Sequence, residues 1–407
     1  MNIAVKPSDM FPDPWTTPLD QLDVSRAEFF EANAHLPYFA RLRRDDPVHF
    51  TRASQFGSYW SITKFKDIIE VETNTKVFSS SPTIVIGDPP PDFDTPMFIA
   101  MDPPKHDVQR KAANPAVNPA RLQELEVLIR QRVCTILDSL PRDKEFNWVE
   151  LVSKELTTQM LATLFDFPFE ERHLLPYWSD VATTSETVGV AVDMAHRQAE
   201  LEKCLHYFAK LWMERQVAPP KFDFISLMAH NPDTKDMLSN PFEFLGNLML
   251  LIVGGNDTTR NSISGGVLAL NQHPAEYEKL RRDPSLIPNM VSEVIRWQTP
   301  LAHMRRTATQ DFEFRGKHIK KGDRVVLWYC SGNRDAESIA NPDQFLIDRP
   351  NARHHISFGF GIHRCMGNRV AEMQLRILWE EILKRFSFVE VVGAPVRVKS
   401  NFVLGYE

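Results

Sequence analysis

Apolar positions recur every three to four residues over most of this chain and alternate with polar ones only in short stretches. Val370, Met373, Ile377, Leu378 and Ile382 form one helical stripe, which predicts a helix just after Gly367. A longer pattern runs from Asn240-Pro241, a capping side chain followed by a first-turn proline, to His273-Pro274. That is roughly 33 residues, or about 50 Å at 1.5 Å per residue. Helical patterning dominates from about Pro119 to His273 and also covers Thr63 to Thr73. Val48-His49-Phe50 and Ser58 to Ile62 predict a hairpin turning near Gly57. Asp311 to Arg315 and Arg324 to Tyr329, joined through Gly316 and Gly322, predict two more strands, and Phe386 to Glu407 also reads as β. The expected fold class is mainly α with small β-sheets, its helix content well above the usual third.

Between Ser79 and Pro96 the residues Pro82, Gly87, Pro89, Pro90, Pro91 and Pro96 rule out regular structure. This loop holds Ile84-Val85-Ile86 and leads into Phe98-Ile99. A lid over an apolar cavity fits that pattern, and so does a surface loop with incidental apolar residues.

A chain of 407 residues can bury about three quarters of its unfolded surface. No Gly/Ser linker, composition shift or fixed-period repeat divides it, so residues 1–407 are expected to form a single domain. Its 43% apolar and 25% charged content is ordinary for a globular protein, and a net charge of −6 with dispersed basic residues argues against nucleic acid as a partner. Cys134, Cys204, Cys330 and Cys365 are widely scattered, and Met1 to Asp9 lacks the charged start and apolar core of a secretory signal. The expectation is reduced thiols in the cytoplasm. The apolar run Leu248 to Val253 is far too short for a membrane anchor.

The chemistry concentrates in Phe358-Gly359-Phe360-Gly361-Ile362-His363-Arg364-Cys365-Met366-Gly367. A cysteine just before a helix meets unpaired N–H groups and a partial positive charge, both of which favour thiolate. Gly359, Gly361 and Gly367 carry no Cβ, so backbone and sulfur can come close to a flat, bulky ligand. A buried structural thiol is the plainer alternative. Zinc is another, since His354, His355 and His363 lie near Cys365, but the paired short-spaced ligands of a zinc site are missing.

This stretch resembles the cysteine-ligand loop of the cytochrome P450 family, matching Phe-Gly-x-Gly-x-His-x-Cys-x-Gly at each fixed position. The resemblance implies that fold, an α-rich prism around a buried haem b, with Cys365 as proximal ligand of the iron. Gly254-Gly255-Asn256-Asp257-Thr258-Thr259, midway along the long helix, is similar to the family's distal motif. There Asp257 and Thr258 would be an acid–alcohol pair, Thr258 steadying the reacting oxygen and Asp257 relaying protons from solvent. Glu293 and Arg296, with Arg349, resemble its structural ion-pair triad. His106, Arg110, Arg306 and His363 occupy its propionate-clamp positions, and His355 is a weaker fifth.

The implied activity is a monooxygenase that puts one atom of O₂ into a C–H bond. Gly254 to Ser262 and Thr299 to Ala308 look like the bacterial alkane and fatty-acid terminal hydroxylases. Dodecanoate-sized chains would enter end-on through a channel lined by Ile84, Val85, Ile86, Leu250, Val253, Gly254, Leu301, Ala302, Met304 and Phe402. Oxidation of sterol side chains or branched lipids is the alternative within the family. A non-oxygenase haem-thiolate binding or sensing protein is the rival from another class, and a peroxide-driven peroxygenase is a nearer one. No reductase region follows Cys365, so a two-iron ferredoxin and its reductase are the expected partners, with Arg364, Arg110 and Lys105 as candidate docking residues.

Overall fold

The computed structural model describes residues 11–89, 94–184 and 193–407. The expectation about Met1 to Asp9, and the loop prolines Pro90 and Pro91, lie outside the described residues. Helix accounts for 54% of the structure and strand for 8%, as the mainly-α pattern predicts.

In chain order the elements begin with α1 (Ala27–Glu31), α2 (Leu36–Asp45), β1 (Val48–Thr51), β2 (Tyr59–Ile62), α3 (Phe65–Thr73) and β3 (Phe78–Ser79). Next come the helices α4 (Lys105–Ala113), α5 (Pro119–Asp138), α6 (Glu155–Leu164), α7 (Leu174–Thr183), α8 (Met194–Val217), α9 (Phe224–His230) and α10 (Pro241–Gln272). The chain continues through α11 (Pro274–Arg282), α12 (Ile287–Gln298), β4 (His303–Ala308), β5 (Phe312–Phe314), β6 (Lys317–Ile319) and β7 (Arg324–Trp328). It ends with α13 (Tyr329–Gly332) and α14 (Asn368–Arg385).

The predicted hairpin is present, with Val48 opposite Ile62 and Thr51 opposite Tyr59. The next two predicted strands do not pair with each other. β5 turns back through Arg315 and Gly316, both at positive φ, onto β6, a strand the sequence pattern missed. β7 instead enters the centre of a sheet ordered β1-β2-β7-β4-β3, parallel to β2 and antiparallel to β4. The sequence pattern does not mark β4 as a strand, because its Arg305-Arg306 pair hides the alternation. Phe386 to Glu407 forms no strand beyond isolated bridges at Val403 and between Arg397 and Tyr406. Gly393 at positive φ and Pro395 interrupt it, and Phe388, Val392 and Val396 stay exposed.

Helix α10 is the axis of the molecule. Its 32 residues follow the N-cap Asn240, whose side chain accepts from the Glu243 N–H, and most of its positions are buried. The loop expected as a lid is fastened at both ends. The Arg305 N–H donates to the Ile84 carbonyl at 2.8 Å, and the Arg305 guanidinium reaches the Ile86 carbonyl and the Asp88 carboxylate. At the far end, Asn247 Oδ1 accepts from the Phe98 N–H at 2.8 Å. Gly246 lies so close to the Pro96 carbonyl that a Cβ there would collide with it. Among the described residues no helix is long and apolar enough to cross a membrane.

Candidate active site

The cysteine loop is held by its own backbone. Cys365 N–H donates to the Phe358 carbonyl at 2.8 Å, and Gly359 and Gly361 both take positive φ, the conformation that glycine adopts without strain. This closes the loop and presents the sulfur just ahead of α14. Desolvation pushes the Cys365 thiol up. The N–H groups of Gly367 and Asn368 and the charges of Arg110 and Arg364 pull the other way without overcoming burial, and a metal cation at the sulfur would itself displace the proton.

Cys365 borders a cavity of about 340 Å³ with α10 on its opposite side. Gly254 and Thr258 line that side, and the Thr258 hydroxyl donates to the Gly254 carbonyl at 3.0 Å. A Cβ placed on Gly254 or Gly367 would meet nothing within 4 Å, so open space lies beside both backbones. Ile84, Val85, Leu250, Val253, Leu301, Met304 and Phe402 line the cavity as expected. Ile86 and Ala302 do not. Both are fully buried in a neighbouring core with Phe30, Phe39 and Trp328. The backbone fixes this: Ala302 is bonded through its N–H to Phe402 and through its carbonyl to Cys330, while Arg305 draws the Ile86 carbonyl away. Met97, Met160, Leu161, Leu164 and Met249 also line the wall and escaped sequence reading, as nothing marks them apart from ordinary core.

Four of the five candidate clamps converge. Arg110, Arg306 and His363 line the cavity, and the His106 ring packs 4.2 Å from that of His363. His363 has no partner at either nitrogen, and His106 has none at Nε2. Desolvation, with Arg306, His106 and Arg110 nearby, holds His363 well below the ordinary histidine range. Buried donors lacking acceptors, next to two guanidiniums, suit a pair of carboxylates. His355 is a correction. It does not reach the cavity; its Nδ1 accepts from the Ser357 N–H and its ring packs on Phe358. His354 stacks on Phe65 instead of joining His363 and Cys365.

Glu72 and Tyr329 also line the cavity, and sequence reading missed both. The Tyr329 hydroxyl donates to Glu72 at 2.5 Å, and Arg306 lies 3.5 Å from the same oxygen. Burial pushes Glu72 up to about 7 despite Arg306. A lone Glu on a short helix carries no signal of this role in the sequence.

Asp257 is on the other face of α10 and does not line the cavity. It accepts from Asn256 at 2.9 Å and pairs with Arg260 at 3.0 Å, and Arg260 in turn reaches Asp180 at 2.9 Å. Burial pushes Asp257 up to about 6, with Arg260 opposing and Asp180 adding to the rise. Glu293, Arg296 and Arg349 meet as expected. Arg296 grips Glu293 with two bonds of 2.7 Å, and Arg349 adds one of 2.9 Å. The proposed docking residues differ in setting. Arg364 is exposed, Lys105 pairs with Glu243, and Arg110 turns inward to the Arg364 carbonyl.

The cytochrome P450 family profile matches residues 194–404. The chain belongs to the cytochrome P450 family. This P450 is 33% identical over 406 residues to the linalool 8-monooxygenase of Pseudomonas putida, covering 95% of this chain and 97% of that one. It is 30% identical over 380 residues to the methyl-branched lipid omega-hydroxylase of Mycobacterium tuberculosis, covering 90% and 88%. The solved structure of cytochrome P450-153 from Novosphingobium aromaticivorans aligns at TM-score 0.89 and 48% identity, over 97% of this chain and 98% of that one. The P450 is a monooxygenase whose cofactor is haem b, using O₂, redox partners and a hydrophobic substrate. The open space beside Gly254 and Gly367, the Cys365 sulfur and the unpartnered imidazole nitrogens fit that group.

Proposed function

We propose that this P450 hydroxylates the terminal carbon of medium-chain alkanes or fatty acids. The observation that carries the reading is the cavity wall, in which Leu250, Val253, Leu301, Met304 and Phe402 give a largely apolar lining to the cavity that Cys365 and Thr258 also border. Internal C–H bonds are weaker than terminal ones, so terminal attack needs a wall that admits only the chain end. The similarity to a relative named as an omega-hydroxylase supports the same outcome.

Bound haem would supply the oxygen-activating chemistry; Cys365 would hold its iron as thiolate, and Arg110, Arg306, His106 and His363 would hold its propionates. Overall, R–H, O₂, two electrons and two protons give R–OH and water. Thr258 releases the Gly254 carbonyl to donate toward the cavity. Asp257, raised by burial to about 6, can exchange protons, while Arg260 holds it and ties it to Asp180, whose side chain is 44% exposed. Electrons come from a two-iron ferredoxin and its reductase, with exposed Arg364 at the docking face. Residues 1–407 act as one catalytic domain in the cytoplasm, a location that suits four unpaired cysteines.

A second reading, oxidation of a sterol side chain, is favoured by 33% identity over 382 residues to a steroid C26-monooxygenase of Mycolicibacterium smegmatis. Turnover of dodecane, dodecanoate and cholestenone with a surrogate ferredoxin, followed by product analysis, separates the two. Predominantly terminal alcohols from the straight chains are expected. Mid-chain alcohols, or turnover of the sterol alone, would defeat the first reading.

A further inference from the structure

Three arginines line the cavity, and two of them belong to the cysteine end. His363 senses Arg306 and Arg110, and Cys365 senses Arg110, but neither senses Arg197. Arg197 lies on the second turn of α8, one turn before Leu201, which lines the same cavity. Its neighbours there include Ala182 and Thr183 at the end of α7.

The guanidinium is poorly partnered. One nitrogen donates to the Ala182 carbonyl at 3.1 Å, and its Nε is buried with no acceptor. Glu200, the nearest acid in sequence, pairs with Lys203 at 2.5 Å, and Asp193 is spent capping the helix through Ala195 and His196. Burial alone acts on Arg197, with no carboxylate charge among the described residues offsetting it. Other arginines of α7 to α10 contrast with this, since Arg215 pairs with Asp166 and Arg260 with Asp180 and Asp257. A half-desolvated guanidinium at the edge of an apolar cavity is costly unless an anion joins it.

We infer that Arg197 is the anchor for the carboxylate of a fatty-acid substrate, so that the acid head sits beside α8 and the methyl end reaches the part of the cavity lined by Gly254 and Thr258. The inference rests on the terminal-hydroxylase reading and narrows its substrate class from alkane or acid to acid. An alkane of equal length would fill the apolar wall and leave the guanidinium unpaired. A bidentate carboxylate satisfies it and fixes how far the chain extends toward the cysteine.

The test is a substrate-binding spectral titration of the holoenzyme with dodecanoate, methyl dodecanoate and dodecane, for wild type, Arg197→Gln and Arg197→Lys. Retention of the thiolate carbon-monoxide spectrum controls for folding. Arg197→Gln is expected to weaken dodecanoate binding about tenfold and leave ester and alkane within about twofold, while Arg197→Lys keeps most of the acid affinity. Equal loss for acid and ester, or unchanged acid binding, overturns the anchor. Terminal oxidation of dodecane by an enzyme that ignores dodecanoate would sink the anchor and leave terminal oxidation standing. Mid-chain products, combined with acid binding lost selectively in Arg197→Gln, would do the reverse.

Discussion

Two buried charged clusters flank the cysteine loop, and they are built on opposite terms. In the first, Glu293 receives both arms of Arg296, the Arg349 guanidinium and the Leu346 N–H, while Arg296 spends its remaining donors on the carbonyls of Asn333 and Pro342. In the second, His363 and His106 keep bare nitrogens, Glu72 keeps a bare Oε2, and Arg306 holds Glu72 only at 3.5 Å. A buried charge whose bonds are filled by its own chain serves architecture. One whose bonds are left open awaits something from outside.

The sharpest way to break this contrast is at the sulfur. Cys365→Ser is expected to abolish the thiolate carbon-monoxide signature and cut turnover on the order of a thousandfold or more, measured by difference spectroscopy and product formation. Glu293→Gln strikes the closed cluster and leaves two buried guanidiniums short of charge. A stability loss of about 3–5 kcal/mol, read from denaturant melts, is expected together with poor haem retention. If Glu293→Gln proved neutral in the melt, the distinction between the clusters would fall.

Thr258→Ala and Asp257→Asn should leave substrate binding spectra unchanged but slow product formation on the order of a hundredfold, with more reducing equivalents lost to peroxide. The smallest effect concerns the open cluster. Burial raises Glu72 from 4.5 to about 7, so the folded haem-free protein keeps a proton that the unfolded chain gives up. Its contribution to stability is full below about pH 4.5 and is lost as pH rises to about 7. Glu72→Gln should flatten that decline in thermal melts, and an unchanged slope would remove Glu72 from the account.

Much of the site could be read from local pattern. Gly254 to Thr258, Glu293 with Arg296, and the run from Phe358 to Gly367 are contiguous motifs, and each folds where its motif implies. What stayed hidden depends on distant chain. Tyr329 meets Glu72 only because β7 delivers α13 beside α3, and no local signal marks that meeting. Alternation failed in β4, where cavity-facing Met304 and Arg306 differ in polarity, and it misled over Phe386 to Glu407, where no neighbouring strand was available. Ile86 and Ala302 were apolar and close in sequence to the wall, yet backbone bonds turned them into the adjoining core.

The parallel pairing of Trp60 with Val325 has a consequence for biosynthesis. The amino-terminal hairpin leaves the ribosome with its inner edge bare and cannot be covered until more than two hundred and fifty further residues have emerged. Translation products that stop short of Arg324 should therefore expose that edge to one another and collect in inclusion bodies, whatever their helices achieve on their own.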